Sequence, residues 1–339
     1  AGAIAGAIMA LAGDLSREKQ RPKVMAIIGI SIGFSFYLAL LLGPIIAAKY
    51  GLSGIFLITG VLACFCILLI LFVVPSATNI APRGDTLPVV EDLKSLFLQP
   101  QLMRLNISVL LLHMLITLLF VQIPVFLIDL QWPLNTHWQA YSIVLFASVL
   151  GLVVLMALAA KYQHRVLQGS VAGLAVVFTL LIFGQHSIIY LLVLVSLFFT
   201  CFNYLEANFP AMVSNIAPAG KKGSAMGFYA SFQFFGAFIG GVLSGSIGEL
   251  LGIQWVFILA AILCCIWLLL ISGLQATNRF KRYTLNSKQQ ITTLTLQQLS
   301  ELAGVIDITV VPNEQVLYLK AEQHFDIQQA RLPKTYAFF

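Results

Sequence analysis

The segment GDLSREKQRPKVMAIIG, residues 13–29, recurs in altered form as SNIAPAGKKGSAMGFYA, residues 214–230. The two segments align without a gap, so that Asp14 matches Asn215 and Met25 matches Met226. Each copy is a basic loop that leads into an apolar stretch rich in Gly and Ser. Two basic loops can resemble each other by chance, but the apolar runs that follow the two copies also agree in number. The sequence therefore predicts two related halves in one chain.

The composition identifies the class of protein. Of the 339 residues, 60% are hydrophobic and only 9% are charged, whereas a soluble domain carries about 25% charged residues. A water-exposed surface of this size needs more charge, so a soluble globular enzyme is excluded. High hydrophobicity also excludes a disordered chain. The remaining class is a polytopic membrane protein.

Eight apolar runs are long enough, or nearly so, to cross a bilayer. Residues 1–12 form a ninth apolar run, which is too short to span, and no basic segment precedes it as a signal peptide would require. We therefore expect about nine helices here, the first of them incomplete, and by symmetry with the second half about three more helices upstream. The eight long runs cover residues 24–46, 54–75, 105–128, 139–160, 167–184, 187–210, 224–248 and 253–274.

Basic residues fall almost entirely on one side of these predicted spans. The opposite loops contain only Lys49. Because cytoplasmic loops carry the excess of Lys and Arg, we expect the C-terminal tail to be cytoplasmic, together with the loops 13–23, 76–104, 161–166 and 211–223.

Charge density also divides the chain, because charged residues are more than twice as frequent after Gln275 as before it. The predicted domains are the end of an N-terminal six-helix half (residues 1–75, helices 4–6), a cytoplasmic linker (76–104), a C-terminal six-helix half (105–274, helices 7–12) and a cytosolic domain (275–339).

The loop GDLSREKQR and the following helix, which contains LLLGPII, resemble the junction of helices 4 and 5 in the major facilitator superfamily. The drug:proton antiporter branch of this family has a G-P-x-x-G-G motif in helix 5, and residues 43–48 here are Gly-Pro-Ile-Ile-Ala-Ala. The motif is present but degenerate. The resemblance implies a parent of twelve helices in two parallel six-helix halves that rock against each other.

The resemblance also assigns conformational residues. In the family, an acidic residue at the position of Asp14 pairs with an Arg of the loop between helices 2 and 3 and stabilises the outward-open state. Arg17 and Arg21 follow in the same cytoplasmic loop. Gly43 and Pro44 are expected to bend helix 5 at its outer end, and a purely structural kink is the alternative.

Two ionisable residues lie well within apolar runs, which is costly and therefore marks candidate transport residues. Glu206 is the candidate for substrate or proton handling, with Asn203 one turn before it on the same face. A structural hydrogen bond near the cytoplasmic end is the alternative for Glu206. His113 titrates near neutral pH when unperturbed, but a buried packing residue is its alternative.

Uncharged polar residues complete the predicted substrate and proton pathway. Gln122 lies in the predicted helix 7, and Tyr229 and Gln233 share a face of helix 11 because they are four residues apart. Polar contacts between helices are the alternative for all three. The spacings Gly236-x-x-x-Gly240 and Gly241-x-x-x-Gly245 predict a close approach of helix backbones.

The tail predicts a small α+β domain. Residues 281–287 fit a strand, and an amphipathic helix is expected over 289–304. Alternation at 306–310 and the run 316–320 fit two further strands joined by a turn, and residues 325–331 fit the start of another helix. This order predicts a ferredoxin-like domain whose final helix and strand are incomplete.

These features predict a proton-coupled transporter in a bacterial inner membrane that exports small organic compounds or drugs by alternating access. Its partners are the lipid bilayer, a small-molecule substrate and protons, with no cofactor, metal or nucleic acid. No G-x-x-x-x-G-K-[ST] phosphate loop occurs, which disfavours ATP-driven export. The alternatives are a solute:proton symporter of the same superfamily and a polytopic membrane enzyme or sensor.

Overall fold

The computed structural model describes residues 21–75, 93–183, 187–218, 221–274, 280–287, 302–311, 316–322, 324–325 and 336–338, together with residues 8, 11 and 299. Six helices in this part of the chain are long and apolar enough to cross a membrane. A short helix and a 3₁₀ turn, Leu134–Thr136, connect them. The helices are α1 (Arg21–Phe72), α2 (Leu93–Phe97), α3 (Pro100–Asp129), α4 (His137–Ile182), α5 (Ile188–Ile216), α6 (Lys222–Leu250) and α7 (Ile253–Ser272).

The predicted count of nine spans is not confirmed. Two pairs of predicted spans are joined into the continuous helices α1 and α4, and residues 1–12 lie almost entirely outside the described residues. Each long helix does contain a break where a loop was predicted. The backbone leaves helical geometry at Gly51 in α1, with φ 66° and ψ −169°, and at Tyr162 in α4. A positive φ of this kind is strained for any residue with a Cβ, so Gly51 suits the break.

Helix α3 lies at the centre of the bundle. It is antiparallel to α7, because Ser108 bonds to Trp267 near one end while Phe126 packs on Phe257 near the other. It is antiparallel to α5 by the same criterion, since His113 contacts Phe202 and Phe120 contacts Phe199. Most of the apolar residues of α3 are buried in the bundle.

Helices α3 and α6 are parallel and approach closely through glycine. The backbone of Leu110 lies against Gly236, and the backbone of Met114 lies against Gly240, so that a Cβ at either glycine would overlap the neighbouring main chain. Both residue numbers increase together, which defines the parallel direction. The predicted close approach is therefore present at Gly236 and Gly240, whereas nothing lies within 4 Å of a Cβ at Gly245.

Three contacts gather at the end of the bundle where α3 and α6 begin and where α5 and α7 end. Gln101 and Arg104 donate to the carbonyl of Gly273, which follows the last turn of α7. Lys221 Nζ donates to Ser95 Oγ of α2 at 3.1 Å. Cations at helix C-termini satisfy free carbonyls and the helix dipole. Segments predicted to share one side of the membrane thus lie together.

The C-terminal part forms an antiparallel sheet of four strands in the order β2-β3-β1-β4. Strands β1 to β3 agree with the three strands expected from sequence. The three residues of β4 supply a final strand, which the sequence had suggested would be incomplete. The expected helices over 289–304 and 325–331 fall mostly outside the described residues. The strands are β1 (Phe280–Ser287), β2 (Val305–Val311), β3 (Val316–Glu322) and β4 (Tyr336–Phe338).

Candidate functional site

Glu206 lies in the membrane-spanning helix α5, ten residues before the helix ends at Ile216. One third of the side chain as a whole is exposed (33%), although one of its two carboxylate oxygens is not. Oε1 accepts a hydrogen bond from Gln233 Nε2 of α6 at 3.2 Å. Oε2 is buried and has no hydrogen-bond partner among the described residues. An ionised carboxylate accepts about four hydrogen bonds, so this one is far from satisfied.

His113 of α3 is the basic side chain that lies against this carboxylate, with Nε2 3.7 Å from Glu206 Oε2. Its Nδ1 lies 3.2 Å from the carbonyl oxygen of Val109, which only accepts, so Nδ1 carries a proton and donates. In the neutral ring Nε2 is then an acceptor. The edge of the ring also contacts Phe202 of α5, with centroids 5.8 Å apart.

Gln233 bridges the other two members of the site. Its amide nitrogen lies 2.8 Å from His113 Nε2 and 3.2 Å from Glu206 Oε1, so one NH₂ group serves both. This arrangement requires a neutral His113, because a protonated Nε2 would face the amide protons. Protonation of His113 would therefore break its bond with Gln233 and favour the carboxylate instead. The site has two alternative hydrogen-bonding patterns that differ by one proton.

Tyr229 lies one turn before Gln233 on the same face of α6. Its side chain is buried, and its hydroxyl has no hydrogen-bond partner among the described residues. The structure thus joins Glu206, His113 and Gln233 from three helices, with Tyr229 one turn away from Gln233. A carboxylate and an imidazole are both groups that can take up a proton, and ionisable side chains inside a membrane mark candidate functional sites.

A chain of aromatic rings leads from this cluster to α1. Phe202 packs on Phe199, Phe199 on Phe120 of α3, and Phe120 on Phe36 of α1, with centroid distances of 6.3, 5.6 and 5.9 Å. These contacts are offset or edge-on, as aromatic pairs prefer. The rings provide an apolar wall next to a single carboxylate.

Two predicted pathway residues lie apart from the cluster. Gln122 is buried and donates to Ser244 Oγ of α6 at 2.8 Å. This is a polar contact between two helices, which was the alternative to a place in the pathway. Asn203 was expected to share a face with Glu206, but its amide reaches Ser148 of α4 at 3.5 Å. A helix turns about 100° per residue, so a spacing of three leaves the two side chains about 60° apart, enough for different neighbours.

The conformational residues are only partly described. Helix α1 continues through Gly43 and Pro44, and the break in its backbone lies seven residues later at Gly51 rather than at the motif. Asp14 and Arg17 lie outside the described residues, and only the backbone of Arg21 is described, at the start of α1. Their roles stay predictions.

Sequence reasoning missed Asn106 of α3, which is fully buried at the same end of the bundle as Tyr229. The sequence does show that Asn106 is a polar residue seven positions before His113, a spacing that places both side chains on one face of the helix.

Comparison with known proteins agrees with a membrane transporter. The Major Facilitator Superfamily model matches residues 1–204 and, in a second and overlapping match, residues 136–319. The chain is 34% identical to the inner membrane transport protein YajR of Escherichia coli (strain K12) over 97% of this chain and 74% of that protein. It is 32% identical to the uncharacterized transporter BU466 of Buchnera aphidicola over 70% of this chain and 62% of that one. With its membrane helices, the chain therefore belongs to the Major Facilitator Superfamily of transporters.

Proposed function

We propose that this protein is a proton-coupled exporter of small organic compounds that works by alternating access in a bacterial inner membrane. The observation that carries the proposal is the cluster of Glu206, His113 and Gln233 at membrane depth. No Lys or Arg within the described ranges lies within 4 Å of the Glu206 carboxylate. An ionised carboxylate without a full counter-charge is unstable in such surroundings, so it takes up a proton or a ligand.

The coupling follows from competition for one carboxylate. When Glu206 is protonated, the carboxyl group is neutral and stable in the bundle, and it no longer attracts a cationic group. When it has lost the proton, Oε2 attracts a cationic or hydrogen-bonding group of the substrate. Exchange of proton and substrate at the same group, with one alternative bound at a time, produces antiport.

The aromatic wall supports an organic substrate with an apolar body. The rings from Phe202 to Phe36 connect the cluster in the C-terminal half to α1 in the N-terminal half. A substrate between the halves would contact both and be carried as they rock. The Gly43–Pro44 motif supports the antiporter branch by resemblance, and Asp14, Arg17 and Arg21 are proposed to stabilise one conformation.

We also propose that the C-terminal sheet is a ferredoxin-like domain on the cytoplasmic side. The order β2-β3-β1-β4 with antiparallel neighbours supports this fold, since a β-α-β-β-α-β chain produces it when each crossover skips one strand. The contacts of Lys221 and Arg104 at the same end of the bundle support a shared side, as does the distribution of basic residues.

Transport in liposomes tests the proposal. The full-length protein is reconstituted with a pH-sensitive dye in the lumen, and ethidium and uncharged chloramphenicol serve as probes. A probe gradient should drive protons the opposite way, and Glu206→Gln should abolish that flux. Glu249→Gln is the matched control, because Glu249 is exposed at the far end of α6.

Proton flux in the same direction as the probe would favour the symporter alternative. Proton flux that is unchanged in Glu206→Gln would remove this residue from the coupling step, and a wild type without any flux would contradict the export proposal.

A further inference from the structure

Helix α4 changes direction at Tyr162, where its backbone leaves helical geometry. The arm before this break, residues 137–161, lies against α5. The side chain of Thr200 occupies the space where a Cβ of Gly151 would be. Further along the arm, Met156 Sδ lies 3.9 Å from the amide nitrogen of Asn208. The residue numbers of α4 and α5 rise together in these contacts, so the first arm runs parallel to α5.

The second arm of α4, residues 163–182, runs antiparallel to α5. Cys201 Sγ lies against Gly173. Tyr190 donates a hydrogen bond to the carbonyl oxygen of Leu180 at 2.9 Å, so here the residue numbers change in opposite directions. Each arm reaches the length of about 20 residues that a helix needs to cross a bilayer. Tyr162 therefore joins two crossings and lies at the membrane surface, at the end of the bundle where α5 ends.

This turn carries two cations around one aromatic ring. Lys161 Nζ lies 5.1 Å and Arg165 Cζ lies 5.6 Å from the centroid of the Tyr162 ring, and all three side chains are exposed. Among the described residues, no carboxylate lies within 4 Å of either cation. The sequence between Asp129 and Glu206 contains no acidic residue. Because like charges repel and a ring face offsets little of that repulsion, the pair suits an anionic partner.

An exposed stripe continues from Arg165 along the second arm. Gly169, Ala172 and Val176 follow Arg165 at spacings of four, three and four residues, which keeps them on one face of the helix. Gly169 is exposed, nothing lies within 4 Å of a Cβ built on it, and Val176 is 51% exposed. The stripe from Arg165 to Val176 is about 16 Å long, close to half of a hydrocarbon core of about 30 Å. It therefore has the length of one lipid leaflet.

We propose that Lys161, Tyr162 and Arg165 bind the headgroup of an anionic phospholipid, whose acyl chain lies along the stripe from Gly169 to Val176. The planar guanidinium donates two parallel hydrogen bonds to a phosphate, and Lys161 adds a second positive charge. A headgroup that carries an amine is disfavoured, because its ammonium would face two cations. The apolar stripe favours a lipid over free phosphate, which has no apolar part. This site is separate from the Glu206 cluster and does not depend on the proposed proton coupling.

Lipid binding measured by native mass spectrometry tests the site. The full-length protein in detergent is titrated with phosphatidylglycerol and, separately, with phosphatidylethanolamine. Lys161→Gln and Arg165→Gln should each weaken phosphatidylglycerol binding by about fivefold, the effect of one basic residue near an anionic lipid. Phosphatidylethanolamine binding should stay unchanged. Lys49→Gln is the matched control, because Lys49 Nζ also lies over an aromatic ring, 5.2 Å from the centroid of Tyr50, outside this cluster. Its variant should bind phosphatidylglycerol as the wild type does.

A phosphatidylglycerol with a photoreactive acyl chain locates the tail of the lipid. Crosslinks should fall within residues 166–180 and should decrease in the variant that carries both Lys161→Gln and Arg165→Gln. Crosslinks confined to other segments, or equal phosphatidylglycerol binding in the wild type and the double variant, would overturn the site. An equal loss in Lys49→Gln would overturn it as well, because net charge alone would then explain the binding. Displacement of the lipid by millimolar inorganic phosphate would show a free-anion site in place of a lipid site.

Discussion

Lys320 Nζ lies 3.3 Å from the carbonyl oxygen of Ile216, so a strand of the C-terminal sheet caps the last turn of a membrane helix. Lys320 is buried in β3, and it also lies 3.4 Å from the carbonyl oxygen of Ala217. The last carbonyls of a helix have no partners within the helix and carry the negative end of its dipole. The sheet is thus bound to α5, the helix that carries Glu206.

Replacing Lys320 should loosen this contact. Lys320→Met keeps most of the side-chain volume but removes the donor and the charge, and a hydrogen bond to a charged group contributes about 1.5–3 kcal/mol. Hydrogen–deuterium exchange should become faster at residues 214–217 and in β3. Lys320→Arg keeps the charge and serves as the control. Equal exchange in Lys320→Met and the wild type would contradict the capping role.

Replacing Gln233 should weaken proton coupling without removing either titrating group. Gln233→Leu leaves Glu206 Oε1 and His113 Nε2 without their shared donor. Leaving buried polar atoms unpaired costs about 1–3 kcal/mol, so coupled transport of a probe in liposomes should fall by about tenfold or more.

A second Gln–His pair provides the control for this prediction. Gln168 lies 3.1 Å from His164 in α4, away from the cluster, and Gln168→Leu should transport normally. If the two variants lose transport equally, the bridge at Gln233 has no special role.

Gln122 should matter for stability and not for coupling. Gln122→Leu removes the bond to Ser244, and polar contacts between membrane helices contribute about 0.6–1.7 kcal/mol. Gln122 lies nine residues after His113, about 13 Å along the helix. Thermal unfolding in detergent should therefore occur at a lower temperature, and proton flux per transported probe should stay at the wild-type value. A changed ratio would place Gln122 in the pathway.

The close approach of α3 and α6 predicts different costs at two glycines. A methyl group at Gly236 meets the carbonyl of Leu110, and main chain yields little, so Gly236→Ala should destabilise by about 1–3 kcal/mol. Gly245→Ala adds the same atom where nothing lies within 4 Å and should be nearly neutral. Thermal unfolding of both variants in the same detergent measures the difference. Equal effects of the two substitutions would mean that the backbones of α3 and α6 are farther apart at Gly236 than the structure places them.

Much of the site was predictable because the membrane makes polar residues conspicuous. Glu206 and His113 were identified from their position in apolar runs, and Tyr229 and Gln233 from their spacing. Asn203 and Gln122 carried the same signal, yet one bonds to α4 and the other to α6 away from the cluster. Composition reveals that a polar group is inside, but its partner depends on which neighbouring helix it faces.

The sequence alone determined the class of protein, the positions of most apolar helices and the strands of the tail, because these depend on local hydrophobicity and periodicity. Only the tertiary structure decided that one amide of Gln233 joins His113 to Glu206 and that Lys320 reaches α5. Each of these contacts joins residues far apart in the chain. Their geometry is decided by how closely helices pack, and at α3 and α6 by the absence of a side chain at Gly236 and Gly240.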